Sequence, residues 1–92
     1  MQITINLEAQ VRRAAGREST TIDVADHSTV AGAVQKLAVA SEEPLRKLLV
    51  DDSGAVRPTL MVFLNDEHVP LSSECQLASG AVLTITSPIS GG

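Results

Sequence analysis

The stretch Leu60-Met61-Val62-Phe63-Leu64 runs directly into Asn65-Asp66-Glu67-His68-Val69. Five consecutive apolar residues give an extended chain two apolar faces. That pattern belongs to a strand at the centre of a sheet, or to one whose second face meets a partner. Asn65, Asp66 and Glu67 supply turn chemistry, and Val69 and Leu71 then read as a short returning strand. The fold depends on what the rest of the chain can place on either side of this segment.

Upstream, Ile3, Ile5 and Leu7 alternate with Thr4 and Asn6, the period-two signature of a strand with one buried face. Glu8 to Arg17 lacks alternation and contains Arg12, Arg13 and Gly16, so it reads as a hairpin loop. Alternation resumes from Thr20 to Val24, with Ile22 and Val24 on one face. So short a link allows an antiparallel pair and excludes a parallel crossover. Ser28 is placed to cap a helix beginning at Thr29, in which Val30, Val34, Leu37 and Ala38 form an apolar stripe and Gln35 and Lys36 face away. Glu42, Glu43 and Pro44 interrupt that pattern. Leu45, Leu48 and Leu49 mark a short second helical turn, Asp51 to Gly54 a polar turn, and Pro58 closes the connection.

Downstream, Ser72 to Gly80 is irregular, with Leu77 as a plug into the core. Ala81 to Thr86 forms the last strand, in which Leu83 and Ile85 alternate with Thr84 and Thr86, and Pro88 ends the ladder by lacking an N–H. Strand, strand, helix, strand, short strand, strand describes an α+β fold, a mixed sheet on one main helix in the β-grasp (ubiquitin-like) layout. A ferredoxin-like sandwich would need a second full helix, for which Ser72 to Gly80 is too short and too polar. The domain is expected over residues 1–86, with 87–92 as a flexible tail ending in Gly91-Gly92.

Ninety-two residues with 43% hydrophobic content suit one small domain. One cysteine, Cys75, excludes an internal disulfide, and no charged start with an apolar run marks a secretory leader, so the expected compartment is the cytoplasm. No apolar run approaches the roughly 20 residues of a membrane span. A net charge of -4 and a single aromatic, Phe63, argue against nucleic acid and favour a basic protein partner. His27 and His68 show no metal-ligand spacing. No basic neighbour activates Cys75, which is expected as a small buried residue. Asp51 and Asp52 read as turn residues, and Gly16, Gly32, Gly54 and Gly80 form no phosphate loop.

The β-grasp pattern and terminal Gly91-Gly92 together resemble the ubiquitin-like sulfur carrier family, end to end. Phe63 to Val69 is similar to the family's strand-turn-strand, and Gly80 through Ile85 with Pro88 to Gly92 to its last strand and tail. Among the branches, the length and the Asn65-Asp66-Glu67 turn look most like the mycobacterial cysteine-biosynthesis carrier. Ala81 departs from a frequent acidic residue, and Ser90 stands where Ala or Thr is common. The resemblance implies a non-enzyme chain. A partner activating enzyme, itself using ATP, adenylates the Gly92 carboxylate, and a sulfur donor converts it to a thiocarboxylate for a biosynthetic enzyme. No cofactor or metal is expected on this chain. Gly91 and Gly92 suit this because a backbone without Cβ can enter a narrow channel. A protein modifier joined to amines through Gly92, and a pure interaction module, remain alternatives.

If Leu60, Val62 and Leu64 face the helix, then Met61 and Phe63 face outward, as do Thr84 and Thr86 beside Pro88. An outward apolar cluster on a small domain marks a partner surface. Met61, Phe63 and Ile89 are therefore expected to contact the activating enzyme, with Thr84, Thr86, Pro88 and Ser90 alongside. In the reversed register Phe63 would be a core residue.

Overall fold

A computed structural model describes residues 1–87. The chain runs β1 (Gln2–Glu8), α1 (Ala9–Ala15), β2 (Ser19–Asp23), α2 (Val30–Val39), α3 (Leu45–Leu49), β3 (Met61–Leu64), β4 (Glu67–Val69) and β5 (Val82–Ser87). The strands form one mixed sheet in the order β2-β1-β5-β3-β4, the β-grasp arrangement. β1 and β5 pair in parallel, and the other neighbours are antiparallel. The last strand thus lies between the first and the third, so chain segments distant in sequence close the middle of the sheet.

Alternation explains which face is covered. Ile3, Ile5 and Leu7 of β1, Val62 of β3, and Leu83 and Ile85 of β5 are buried. They form one cluster with Val30, Ala33, Val34, Leu37 and Ala38 of α2. Register aligns them, with Ile5 opposite Leu83, Leu7 opposite Ile85 and Val62 opposite Ile85. Each such aliphatic side chain contributes about 1.5–3 kcal/mol on burial. Leu77 plugs this core from the irregular segment, where its N–H donates to Ser28 O at 2.8 Å.

Glu8 to Arg17 is not a simple hairpin loop, because α1 occupies most of it. Val11 is fully buried, Ala14 and Ala15 pack against the core at helical spacing from it, and Ala and Arg are strong helix formers. Gly16 closes the helix at φ 73°, its N–H donating to Arg12 O at 2.9 Å. Seven residues are too few for a helix to stand alone in water. Tertiary packing through Val11 selects it, which the absence of strand alternation could not reveal.

Smaller corrections have equally local causes. Thr29, not Ser28, caps α2, accepting from Gly32 N at 3.2 Å, while the Ser28 hydroxyl donates to Ala25 O. β4 is Glu67–Val69, and Leu71 lies beyond it. β5 starts at Val82 and reaches Ser87, which forms a parallel bridge with Ala9 instead of belonging to the tail. Cys75 is exposed, not buried: its N–H donates to Ser73 Oγ in a surface turn, and Leu77 takes the core position.

Two polar devices set the turns. Asn65 and Asp66 have φ of 50° and 72°, the left-handed pair that a two-residue hairpin requires. Asn65 also extends the β3–β5 ladder beyond its last backbone pair. Its N–H donates to Val82 O at 2.8 Å and its Oδ1 accepts from Val82 N at 3.1 Å. In the α3–β3 connection, Asp51 Oδ1 accepts from Ser53 N, Ser53 Oγ and Ala55 N, and Gln35 of α2 donates to Gly54 O at 3.1 Å.

Three outcomes follow for stability. Leu83→Ala should lower unfolding free energy by about 2–5 kcal/mol in urea titrations. Asn65→Ala removes a hydrogen bond on which the β5 register depends and should cost about 1 kcal/mol in the same assay. The Ser53 hydroxyl and N–H hold the Asp51 carboxyl below the usual aspartate range. A carboxyl lowered in the folded state contributes stability fully above its unfolded value and loses it as pH falls through the folded one. Asp51→Asn should therefore flatten the acid limb of the stability profile, and an unchanged limb would rule out the loop as a source of acid sensitivity.

Candidate functional site

The uncovered sheet face is built by the residues that alternate with the core. From β1 these are Gln2, Thr4, Asn6 and Glu8, from β5 Val82, Thr84 and Thr86, and from β3 Met61 and Phe63. Met61 is 39% exposed and Phe63 is half-buried, so β3 places both away from the helix layer and the reversed register is excluded. Thr84 and Thr86 are half-buried on the same face. Met61 pairs with Thr86, and Phe63 with Thr84, across the β3–β5 ladder. Four of the sequence-identified residues therefore form a two-by-two block. Pro88, Ile89, Ser90, Gly91 and Gly92 lie outside the described residues.

His68 completes the block, and sequence reading missed it. It pairs with Phe63 across β3–β4, and the two rings meet edge to face with centroids 5.5 Å apart. Edge-to-face contact is a favoured geometry for two such rings. The signal was present: a two-residue turn puts the residue two places beyond it opposite the residue two places before it. Reading β4 from Val69 and Leu71 alone passed over His68.

The end of β5 adjoins α1. Glu8 pairs with Thr86 and Ala9 bridges Ser87, so the last described residue sits where β1 turns into the helix. Ser87, the last described residue, therefore lies beside the Met61–Thr86 edge of the block. Ala9 itself has φ 56°, an uncommon conformation for a residue with a side chain, at the corner where strand becomes helix.

The helical side offers two open clefts. One, of about 320 Å³, lies between α2 and α3 and includes Val39 and Val50; the other, of about 660 Å³, lies between β2 and the end of α2 and includes Ile22 and Leu37. Neither contains Met61, Phe63, Thr84 or Thr86. Glu43 lines both clefts. Its carboxyl is held below the ordinary range, first by a hydrogen bond from Arg46 and then by the charge of Lys47. Among the described residues no helix is long and apolar enough to cross a membrane. What the outward block can do chemically is bind. It has an apolar centre and hydroxyls around it, and Ser87, the last described residue, adjoins it.

Comparison with known proteins agrees with that geometry. The family model described as the ThiS family matches residues 5–92. No curated protein gives a match. Among solved structures, SAMP1 from Haloferax volcanii is similar at 27% identity over all of both chains, with a TM-score of 0.83. Urm1 from Trypanosoma brucei is similar in fold at 24% identity, over 99% of this chain and 95% of that one, with a TM-score of 0.73. A chain from the complex of subunits 1 and 2 of molybdopterin-converting factor from Helicobacter pylori shares the fold at 19% identity over both whole chains, with a TM-score of 0.58. The sheet order, the outward block and a family match that runs from β1 to the final glycine give one conclusion: the chain belongs to the ThiS family, with the fold of the ubiquitin-like sulfur carriers.

Proposed function

We propose that this chain carries sulfur in the cytoplasm as a thiocarboxylate on Gly92. A partner activating enzyme supplies the chemistry. The Gly92 carboxylate attacks the α-phosphorus of ATP, pyrophosphate leaves, and an acyl adenylate forms. A sulfur nucleophile then attacks the acyl carbon and AMP leaves with the electron pair. Adenylation turns a poor leaving oxygen into a good one and divides a difficult substitution into two easier steps. The resulting thiocarboxylate passes its sulfur to a biosynthetic enzyme.

The observation that carries this reading is a family match extending through Gly91 and Gly92. The outward block supports it, since Met61, Phe63, Thr84 and Thr86 lie beside the point where the chain leaves β5. Ordering the tail in a partner's channel costs about 1–2 kcal/mol per residue. Contacts from the folded body offset that cost, and Met61 and Phe63 are the residues assigned to them, with Pro88, Ile89 and Ser90 docking as part of the tail itself. The complex from Helicobacter pylori is in keeping with a fold that works against a second subunit.

Similarity to SAMP1, which is a small archaeal modifier protein, favours a second reading in which Gly92 is joined to amines of other proteins. The chain's own lysines are Lys36 and Lys47, and Lys47 Nζ lies 3.6 Å from Glu43 Oε2. Single attachment is therefore the form this reading takes more readily than polymer growth.

Intact-mass spectrometry after incubation with the activating enzyme, ATP and sulfide separates the two. Exchange of one oxygen for one sulfur at the C-terminus is the expected result. Branched peptides carrying a Gly91-Gly92 remnant on other proteins would instead establish the modifier, and an unaltered carboxylate in both settings would overturn both. Phe63→Ala should reduce kcat/KM for adenylation about tenfold, the scale of a central interface aromatic, with a native circular dichroism spectrum. Unchanged kinetics would remove Phe63 from the docking surface.

A further inference from the structure

The charges of this chain are sorted by layer. Its seven Lys and Arg residues are Arg12, Arg13, Arg17, Lys36, Arg46, Lys47 and Arg57, and none lies in any of the five strands. The strands carry Glu8, Asp23 and Glu67 instead. Of these, Glu8 and Asp23 alternate with core residues and so stand on the uncovered face, at two of its borders. Asp66 lies at the β3–β4 turn next to the Phe63–His68 pair, whereas Glu67 pairs with core-facing Leu64 and stands on the covered side. The apolar centre of the outward block is thus bordered by carboxylates with no fixed cation among them.

Glu8 has the position of greatest consequence. Register places it in one row with Thr86 and Met61, and neighbouring strands are about 4.8 Å apart, so its stem lies about 10 Å from Met61 across the sheet. The next residue, Ala9, bridges Ser87, the last residue described before the tail. Glu8 is exposed. Among the described residues it enters no ion pair: Arg12 pairs with Glu18, and Arg46 and Lys47 both pair with Glu43. It precedes α1 as the N-cap residue, yet its side chain makes no capping hydrogen bond. A carboxylate without an intramolecular task, beside the exit of the reactive tail, is available to a partner.

We propose that the outward face docks a basic surface of the activating enzyme, and that Glu8 is the specificity-determining carboxylate that aligns the tail exit with it. This deepens the carrier reading and rests on it. The partner surface so defined has an apolar recess for Met61 and Phe63 and Lys or Arg side chains placed against Glu8 and against Asp66 of the β3–β4 turn. Complementary charge at the border of an interface accelerates encounter and sets orientation more than it adds to final affinity. Glu8 is therefore a positioning residue. Its loss should appear in association and in KM, with the chemical step retained once the complex has formed.

Two readouts test the proposal with the full chain and the activating enzyme from the same source. The first is the Kd and association rate of the complex without ATP, from low to high salt. The second is adenylate formation with ATP. Glu8→Lys should slow association about tenfold at low salt, Glu8→Gln less, with the deficit shrinking as salt rises and kcat retained. Glu74→Lys, an equal charge change on the irregular segment, serves as the control and should have little effect. Association of Glu8→Lys at the wild-type rate in low salt would overturn the proposal, as would a deficit that salt does not diminish. An effect of Glu8→Lys on binding to the sulfur-accepting enzyme alone would assign the face to that partner and equally overturn it. Failure of the wild-type chain to form an adenylate in a complex that does assemble would instead overturn the carrier reading, so the two failures are distinguishable.

Discussion

The parallel pairing of β1 with β5 is the constraint on which the other features depend. It brings the first strand and the last into the middle of the sheet, and it can form only if the intervening chain crosses the covered face. The buried rows Ile5–Leu83 and Leu7–Ile85 hold that pairing from one side. Once β1 and β5 are adjacent, β2 can join only beyond β1, and β3 with β4 only beyond β5. The end of β5 is then delivered to a fixed place on the molecule, beside Ala9, where a chain end would otherwise fray.

The same pairing separates two kinds of surface. The helical side carries the cations, most of the ion pairs and the clefts. The open sheet side carries neutral hydroxyls, an apolar centre and a few carboxylates. A carrier has to be held by its body while its terminus does chemistry elsewhere. A sheet face that adjoins Ser87, the last described residue, answers that requirement better than a pocket on the opposite layer. The T-shaped contact of Phe63 with His68 and the Asn65 clamp on Val82 tie the outward face and the start of β5 into one register.

Much of the fold was legible because one-sided strands announce themselves. Ile3-Ile5-Leu7 and Leu83-Ile85 alternate cleanly, the α2 stripe has helical spacing, and Asn65-Asp66 is strong turn chemistry. Met61 and Phe63 could be placed outward only conditionally, since a strand apolar on both faces gives no internal sign of which face is covered. That ambiguity was resolved by the pairing of Val62 with Ile85 and Val69, which ties its orientation to neighbours whose orientation is unambiguous. His68 was legible in principle, through its register opposite Phe63, and was lost by drawing β4 too far along the chain.

The linear order of residues determined the strands, the main helix, the β-grasp layout and the terminal Gly91-Gly92, because periodicity and turn propensity act over a few residues. Only tertiary structure decided that Glu8 to Arg17 contains a helix, since seven residues gain too little from their own hydrogen bonds and require the burial of Val11. It likewise decided that Cys75 is at the surface and that Ser87 belongs to the sheet. Cys75 is left outside because Leu77, two residues on, takes the core position, and Ser87 depends on a partner distant in sequence, Ala9, which supplies a bridge. The juxtaposition of Glu8, Thr86 and Met61 is of the same kind. Residues 8, 61 and 86 become neighbours only when β5 inserts between β1 and β3.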